Sequence, residues 1–125
     1  MYSVTVERAF VAQHFLTVPN PGPEGDLHSH HFTAKVGLAG EELNDYGYLA
    51  DIDALNERID ATVARYRDAT LNDLPEFEDL NPSLEHFARV FGERFADSLD
   101  APEVETITVK LREDDVAWAS YRQEA

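Results

Sequence analysis

The fold of this chain is decided by residues 30–38, which read HHFTAKVGL. Apolar residues occupy every second position, and this period of two predicts a strand with one buried face. The residues on that face are Phe32, Ala34, Val36 and Leu38. A second alternating stretch covers residues 2–12, and a loop rich in proline and glycine follows at 19–26. We therefore predict two neighbouring strands, joined as a long hairpin.

The middle of the chain has the period of helices. Residues 51–66 carry apolar side chains three or four positions apart, which is typical of an amphipathic helix, and Asp51 is a plausible N-cap. A second helix is predicted within residues 81–99. We expect Asn81 to cap it and Pro82 to occupy its first position, where a missing N–H costs nothing.

The end of the chain returns to strands, at residues 104–112 and around 116–122. The order ββααββ predicts an α+β fold, with a four-stranded antiparallel sheet and both helices on one face. The length of 125 residues fits a single domain, 1–125. An open sheet has two edges that must be blunted or paired, so we expect a homo-oligomer.

The composition is strongly acidic. Asp and Glu number 25 against 10 Lys and Arg, a net charge of −15. This field repels phosphate backbones and argues against nucleic-acid binding, whereas it suits a halophilic protein whose self-repulsion is screened by salt. There is no long apolar run, no signal-peptide pattern and no cysteine. We expect a cytoplasmic protein without a membrane partner.

Three of the five histidines lie in DLHSHHF, residues 26–32. His28 and His30 are two apart, so they share a face if the strand begins that early. His14 ends the first strand and returns beside them if the two strands are antiparallel neighbours. Three converging imidazoles predict a catalytic zinc site with an open fourth position. The alternative is a set of solvated histidines beside a loop, and His31 points to the opposite face.

Several segments, in a fixed order, are similar to motifs of one enzyme family. They are FVAQHFL at 10–16, LHSHHF at 27–32, GYLADIDALN at 47–56, LNDLPEFEDLNPSLE at 71–85, and Glu113 followed eight residues later by Tyr121. Through them nearly the whole chain resembles the 6-pyruvoyl-tetrahydropterin synthase and 6-carboxytetrahydropterin synthase (QueD-type) superfamily. The order and spacing of the segments together make this resemblance specific.

The resemblance implies a zinc-dependent lyase acting on the pterin substrate 7,8-dihydroneopterin triphosphate. His14, His28 and His30 would be the zinc ligands. Glu113 would anchor the pterin, because a carboxylate offers two parallel acceptors to two parallel N–H donors. The implied fold is the T-fold, whose subunits pair their sheets into a barrel, with a hexamer as a dimer of trimers. For the QueD-type branch, the implied setting is queuosine or archaeosine biosynthesis.

The chain departs from the family at two places. Glu24 stands where the family has its catalytic cysteine, and Tyr66, Arg67 and Asp68 stand where it has L-D-H. A buried carboxylate could act as the base in place of the thiolate, but Glu24 could equally be a surface acid in a loop.

These departures leave three alternatives open. Some family members with Glu near this position resemble enzymes that cleave the side chain to 6-hydroxymethyl-dihydropterin. A second alternative is a degenerate homologue that binds zinc and pterin without turnover. A third is a structural oligomer with vestigial histidines.

Overall fold

The computed structural model describes residues 1–97 and 99–125. Four strands and two helices make up the fold: β1 (Tyr2–His14), β2 (His28–Gly40), α1 (Ile52–Tyr66), α2 (Leu84–Ala96), β3 (Thr106–Glu113) and β4 (Ala117–Glu124). The strands form one antiparallel sheet in the order β1-β2-β3-β4. The predicted α+β class is confirmed. Within the described residues, neither helix has the length and apolar character needed to cross a bilayer.

The buried face of β2 is the one predicted from its period of two. Its four apolar residues, from Phe32 to Leu38, are at most 1% exposed. Phe10 of β1 stacks on Phe32, and Phe87 of α2 meets both rings edge-on. Both helices cover this one face, α1 over β1 and α2 over β3 and β4. The aromatic cluster therefore joins sheet and helices directly beneath the strand ends that carry the histidines.

Strands β1 and β2 are both longer than the sequence predicts at the end that carries the histidines. Their register continues to a pairing of His14 with His28. The segment after α1 supports this extension, because Gln13 N–H donates to the Ala69 carbonyl at 2.8 Å and Asp68 N–H donates to the Val11 carbonyl at 2.7 Å. The histidines are thus placed by regular strand geometry and not by a loop.

The predicted start of the second helix is wrong. Ser83 is the N-cap of α2, and its Oγ accepts a hydrogen bond from His86 N–H at 3.1 Å. The Asn81 side chain accepts instead from Thr17 N–H at 2.9 Å, which ties the chain after β1 to the start of α2. Pro82 therefore lies before the helix. The helix also ends at Ala96, short of the predicted range.

Candidate functional site

Three histidines meet at one end of the sheet. His14 is the last residue of β1, His28 is the first residue of β2, and His30 follows two positions later on the same face. One ring nitrogen from each lies within 4.8 Å of the other two. The convergence predicted from strand spacing is therefore present, and the third imidazole comes from the neighbouring strand as expected.

The hydrogen bonds of the rings fix which nitrogen faces the cluster. Each Nδ1 has a partner: the Pro82 carbonyl for His14 at 2.8 Å, the Asp26 carbonyl for His28 at 2.7 Å, and Asp114 Oδ2 for His30 at 2.6 Å. Because carbonyls and carboxylates only accept, the rings donate from Nδ1 and a neutral ring keeps its lone pair on Nε2. The Nε2 atoms of His28 and His30 are buried and make no hydrogen bond among the described residues, although Glu113 Oε1 lies 2.9 Å from that of His30.

This donor set fits zinc. Three neutral imidazoles whose Nδ1–H groups are held by protein oxygens are the usual ligands of a catalytic zinc ion with an open position. Burial is the main cause that lowers the pKa of His14, and it favours the neutral form a metal requires. A bound metal ion would supply the partner that His28 Nε2, buried and without a hydrogen bond, lacks among the described residues.

Glu113, at the end of β3, reaches into the same cluster. Its Oε1 lies 2.9 Å from His30 Nε2 and 3.6 Å from His14 Nε2. Burial is the main cause that raises the pKa of Glu113. A carboxylate oxygen and an imidazole lone pair are stable at this distance only with a proton or a cation between them. The position of Glu113 is therefore a second indication that the cluster is built around positive charge.

A cavity of about 250 Å³ opens beside the cluster. Its walls include His14, Glu113 and Glu24, together with Leu16, Asn81, Ser83, Leu84, Glu85 and Ala117. Glu24 lies in a short turn, Gly22–Gly25, whose Glu24 carbonyl accepts from Leu16 N–H at 2.9 Å. The loop thus brings Glu24 to the cavity. The side chain is nevertheless exposed, so the burial that a general base needs would have to come from a bound substrate or another subunit.

Comparison with known proteins identifies the family. The model of the family described as 6-pyruvoyl tetrahydropterin synthase (PTPS) matches residues 3–124. The chain belongs to the 6-pyruvoyl tetrahydropterin synthase family. The 6-carboxy-5,6,7,8-tetrahydropterin synthase of Bacillus subtilis (strain 168) is 26% identical over 117 residues, which cover 89% of this chain and 78% of that protein.

Solved structures of PTPS share the fold over almost the whole chain. The Caenorhabditis elegans PTPS superposes with a TM-score of 0.80 at 22% identity, covering 98% of this chain and 97% of that one. The Plasmodium vivax PTPS superposes with a TM-score of 0.83 at 16% identity, covering 99% and 98%. A variant of the Plasmodium vivax protein, in which a catalytic glutamate is replaced by alanine, has a TM-score of 0.81 at 16% identity, also covering 99% and 98%. The T-fold implied by the resemblance is confirmed.

The residues at the family's L-D-H position lie outside the cavity. Tyr66 is fully buried in the core, and its hydroxyl donates to Glu76 at 2.9 Å. Asp68 has a φ of 59° and connects through its backbone to β1. His31 is exposed on the other face of β2, as predicted. None of these three side chains lines the cavity beside the histidines.

A larger cavity, of about 690 Å³, lies away from the histidines. It opens between the ends of α1 and α2 and is lined by Arg65, Arg89 and Arg94 with their acidic partners. Its cations are already paired with Glu76 and Glu93. The smaller cavity is the one that adjoins the histidine cluster, because His14 and Glu113 form part of its wall.

Sequence reasoning missed the groups that hold the rings in place. Asp114 follows Glu113 in the acidic stretch EDD, which looks like a solvated turn, yet it bonds His30. Asn72 bonds both the N–H and the carbonyl of Phe15, at 3.0 and 2.9 Å, and pins the chain directly after His14. The adjacency of Asp114 to the predicted pterin anchor was the one available signal.

Proposed function

We propose that this protein is a zinc-dependent enzyme that processes the side chain of 7,8-dihydroneopterin triphosphate, as 6-pyruvoyl- or 6-carboxytetrahydropterin synthases do. The observation that carries the proposal is the convergence of ring nitrogens of His14, His28 and His30 to within 4.8 Å of one another, beside a cavity in a chain of this family. The name of the Bacillus subtilis relative supports the same class of substrate.

The three histidines would hold the zinc ion, which when bound supplies Lewis-acid polarisation of the oxygens on the substrate side chain. Glu113 would bind the pterin ring by accepting hydrogen bonds from the ring N–H and the exocyclic amine. Its place on the cavity wall supports this role.

Glu24 would take a proton from the substrate side chain. It is on the cavity wall with His14 and Glu113, and the chain has no cysteine to act in its place. The glycine at position 22, with a φ of 66°, allows the sharp turn that directs this loop towards the cavity. A substrate that fills the cavity would exclude water from around the carboxylate and bring it within reach of the proton.

A second candidate function is cleavage of the side chain to 6-hydroxymethyl-dihydropterin. The observation that favours it is the carboxylate of Glu24 at the position that the family resemblance gives to cysteine. A catalytic glutamate is also described for the Plasmodium vivax protein of the same fold. The two functions differ in the mass of the pterin they release.

The test is mass spectrometry of the products after incubation of the protein and zinc with 7,8-dihydroneopterin triphosphate. We expect a pterin with a shortened or rearranged side chain, and its mass identifies the branch. Glu24→Gln should lower turnover by about 100-fold or more, the usual yield of general-base catalysis, while zinc and pterin still bind.

Glu42→Gln is the matched control, because Glu42 is exposed beyond the opposite end of β2 and makes the same charge change. It should turn over at the parent rate. If Glu24→Gln also turns over at the parent rate, Glu24 is only a surface acid. If the parent releases no product, the enzymatic proposal is refuted and the degenerate binder replaces it.

A further inference from the structure

The three rings of the cluster are not held in the same way. His14 and His28 donate from Nδ1 to neutral backbone carbonyls, whereas His30 donates to the carboxylate of Asp114 at 2.6 Å. The partner comes from far along the chain, since 84 positions separate the two residues. His30 is thus the one ring of the three whose Nδ1 is held by a side chain, while its Nε2 lies 2.9 Å from Glu113 Oε1.

Asp114 is itself held in a defined position at the turn between β3 and β4. Its φ is 48°, in the left-handed region that Asn, Asp and Gly tolerate best. Its N–H donates to the His31 carbonyl at 2.7 Å, and its Oδ1 accepts from His31 N–H at 2.9 Å. Oδ1 of Asp114 therefore binds the β2 backbone at His31, while Oδ2 binds the ring of the preceding residue, His30.

We propose that Asp114 is a positioning residue that fixes the Nδ1–H tautomer and the orientation of His30 and so strengthens it as a metal ligand. This inference rests on the zinc site of the proposed function. A carboxylate that accepts the second N–H of a ligating imidazole raises the basicity of the ligating nitrogen more than a neutral carbonyl does. Asp114 acts through His30 and does not contact the other two rings.

The first test is the zinc affinity of Asp114→Asn, measured by competition with a chromophoric chelator in molar salt. Asn keeps the size and tolerates the positive φ, but its single oxygen cannot serve both His31 N–H and His30. We expect zinc affinity to fall by about 10–100-fold, the usual effect of removing such a partner.

Asp115→Asn is the matched control. Asp115 is the next residue, is exposed and pairs with Arg112, so the variant loses the same charge from the same turn without touching a histidine. Its affinity should stay within about twofold of the parent. Equal affinities of Asp114→Asn and Asp115→Asn would overturn the inference.

The second test needs no metal. Nitrogen-15 NMR of the apo-protein reports which ring nitrogens of His30 carry a proton. We expect Nδ1–H in the parent and a mixture in Asp114→Asn. A parent His30 that carries a proton on Nε2 and none on Nδ1 overturns the inference even if the variant does not fold. A parent that binds no zinc but shows the Asp114-dependent tautomer refutes the proposed function and supports the positioning role.

Discussion

At the scale of single residues, Glu76 shows how this acidic chain uses its few cations. Its carboxylate accepts from Arg65 at 2.8 Å and from the buried hydroxyl of Tyr66 at 2.9 Å. The hydrogen bond from Arg65 is the main cause that lowers the pKa of Glu76, to about 2, and burial is the main cause that raises the pKa of Tyr66. Glu76 thus connects the segment after α1 to the last turn of that helix.

Glu76→Gln should lower the free energy of unfolding at pH 7 by about 1–2 kcal/mol, because it weakens hydrogen bonds to a charged acceptor. Since the pKa of Glu76 is lower in the folded than in the unfolded state, its contribution is complete above the unfolded pKa of about 4.3. The contribution is lost as the pH falls towards about 2. Urea unfolding of parent and variant between pH 7 and pH 3 measures the difference.

Glu78→Gln is the control, because Glu78 is exposed and has no ion pair among the described residues. It should match the parent at every pH. A Glu76→Gln difference that stays constant from pH 7 to pH 3 would show that the stabilising group is not the ionised Glu76.

At the scale of elements, local sequence patterns predict the kind of element well and its ends less well. All four predicted strands are present, and Asp51 caps α1 as predicted, with Oδ1 accepting from Asp53 N–H at 2.9 Å. The start of α2 was missed because Asn81 bonds Thr17, 64 residues away in the chain, and leaves the cap to Ser83. Such a competition between tertiary and local partners is invisible in a short window of sequence.

Gly92 of α2 also depends on a contact outside its own helix. By helix propensity alone, a glycine at this position lowers the stability of the helix. In the structure a Cβ at this position would lie 3.0 Å from Val109 Cγ2 of β3, so the glycine permits close packing of helix and sheet. The value of the residue depends on a contact between elements that the period of α2 does not reveal.

Some parts of the candidate site could be predicted from the sequence and others could not. The histidine cluster could be predicted, because residues two apart on a strand share a face and an antiparallel neighbour returns its end to the same place. The hydrogen bond between His30 and Asp114 could not be predicted, because it depends on where the β3–β4 turn meets β2. The exposure of Glu24 could not be predicted either, and it differs from the burial that a carboxylate acting as a general base needs.

For the whole molecule, two features have opposite effects on association between subunits. They are the net charge of −15 and the two edge strands, β1 and β4. Edge strands favour pairing between subunits, whereas like charges repel unless salt screens them. We predict a homo-oligomer, a hexamer as a dimer of trimers, in molar salt, and its dissociation at about 0.01 M salt, where the screening length is roughly 30 Å.

Light scattering at the two salt concentrations measures the mass directly. A clean monomer in molar salt would contradict the edge-pairing argument. An oligomer of unchanged mass at both concentrations would instead contradict the role given to charge.

We propose that His14, His28 and His30 hold a zinc ion, and the metal content of the purified protein is the direct test. His28→Ala removes a ligand, whereas His31→Ala removes an exposed imidazole three positions along the same strand and serves as the control. Inductively coupled plasma mass spectrometry should find about one zinc per chain in the parent and in His31→Ala, and little in His28→Ala. Full zinc occupancy in His28→Ala, or a parent that takes up no zinc, would contradict the account.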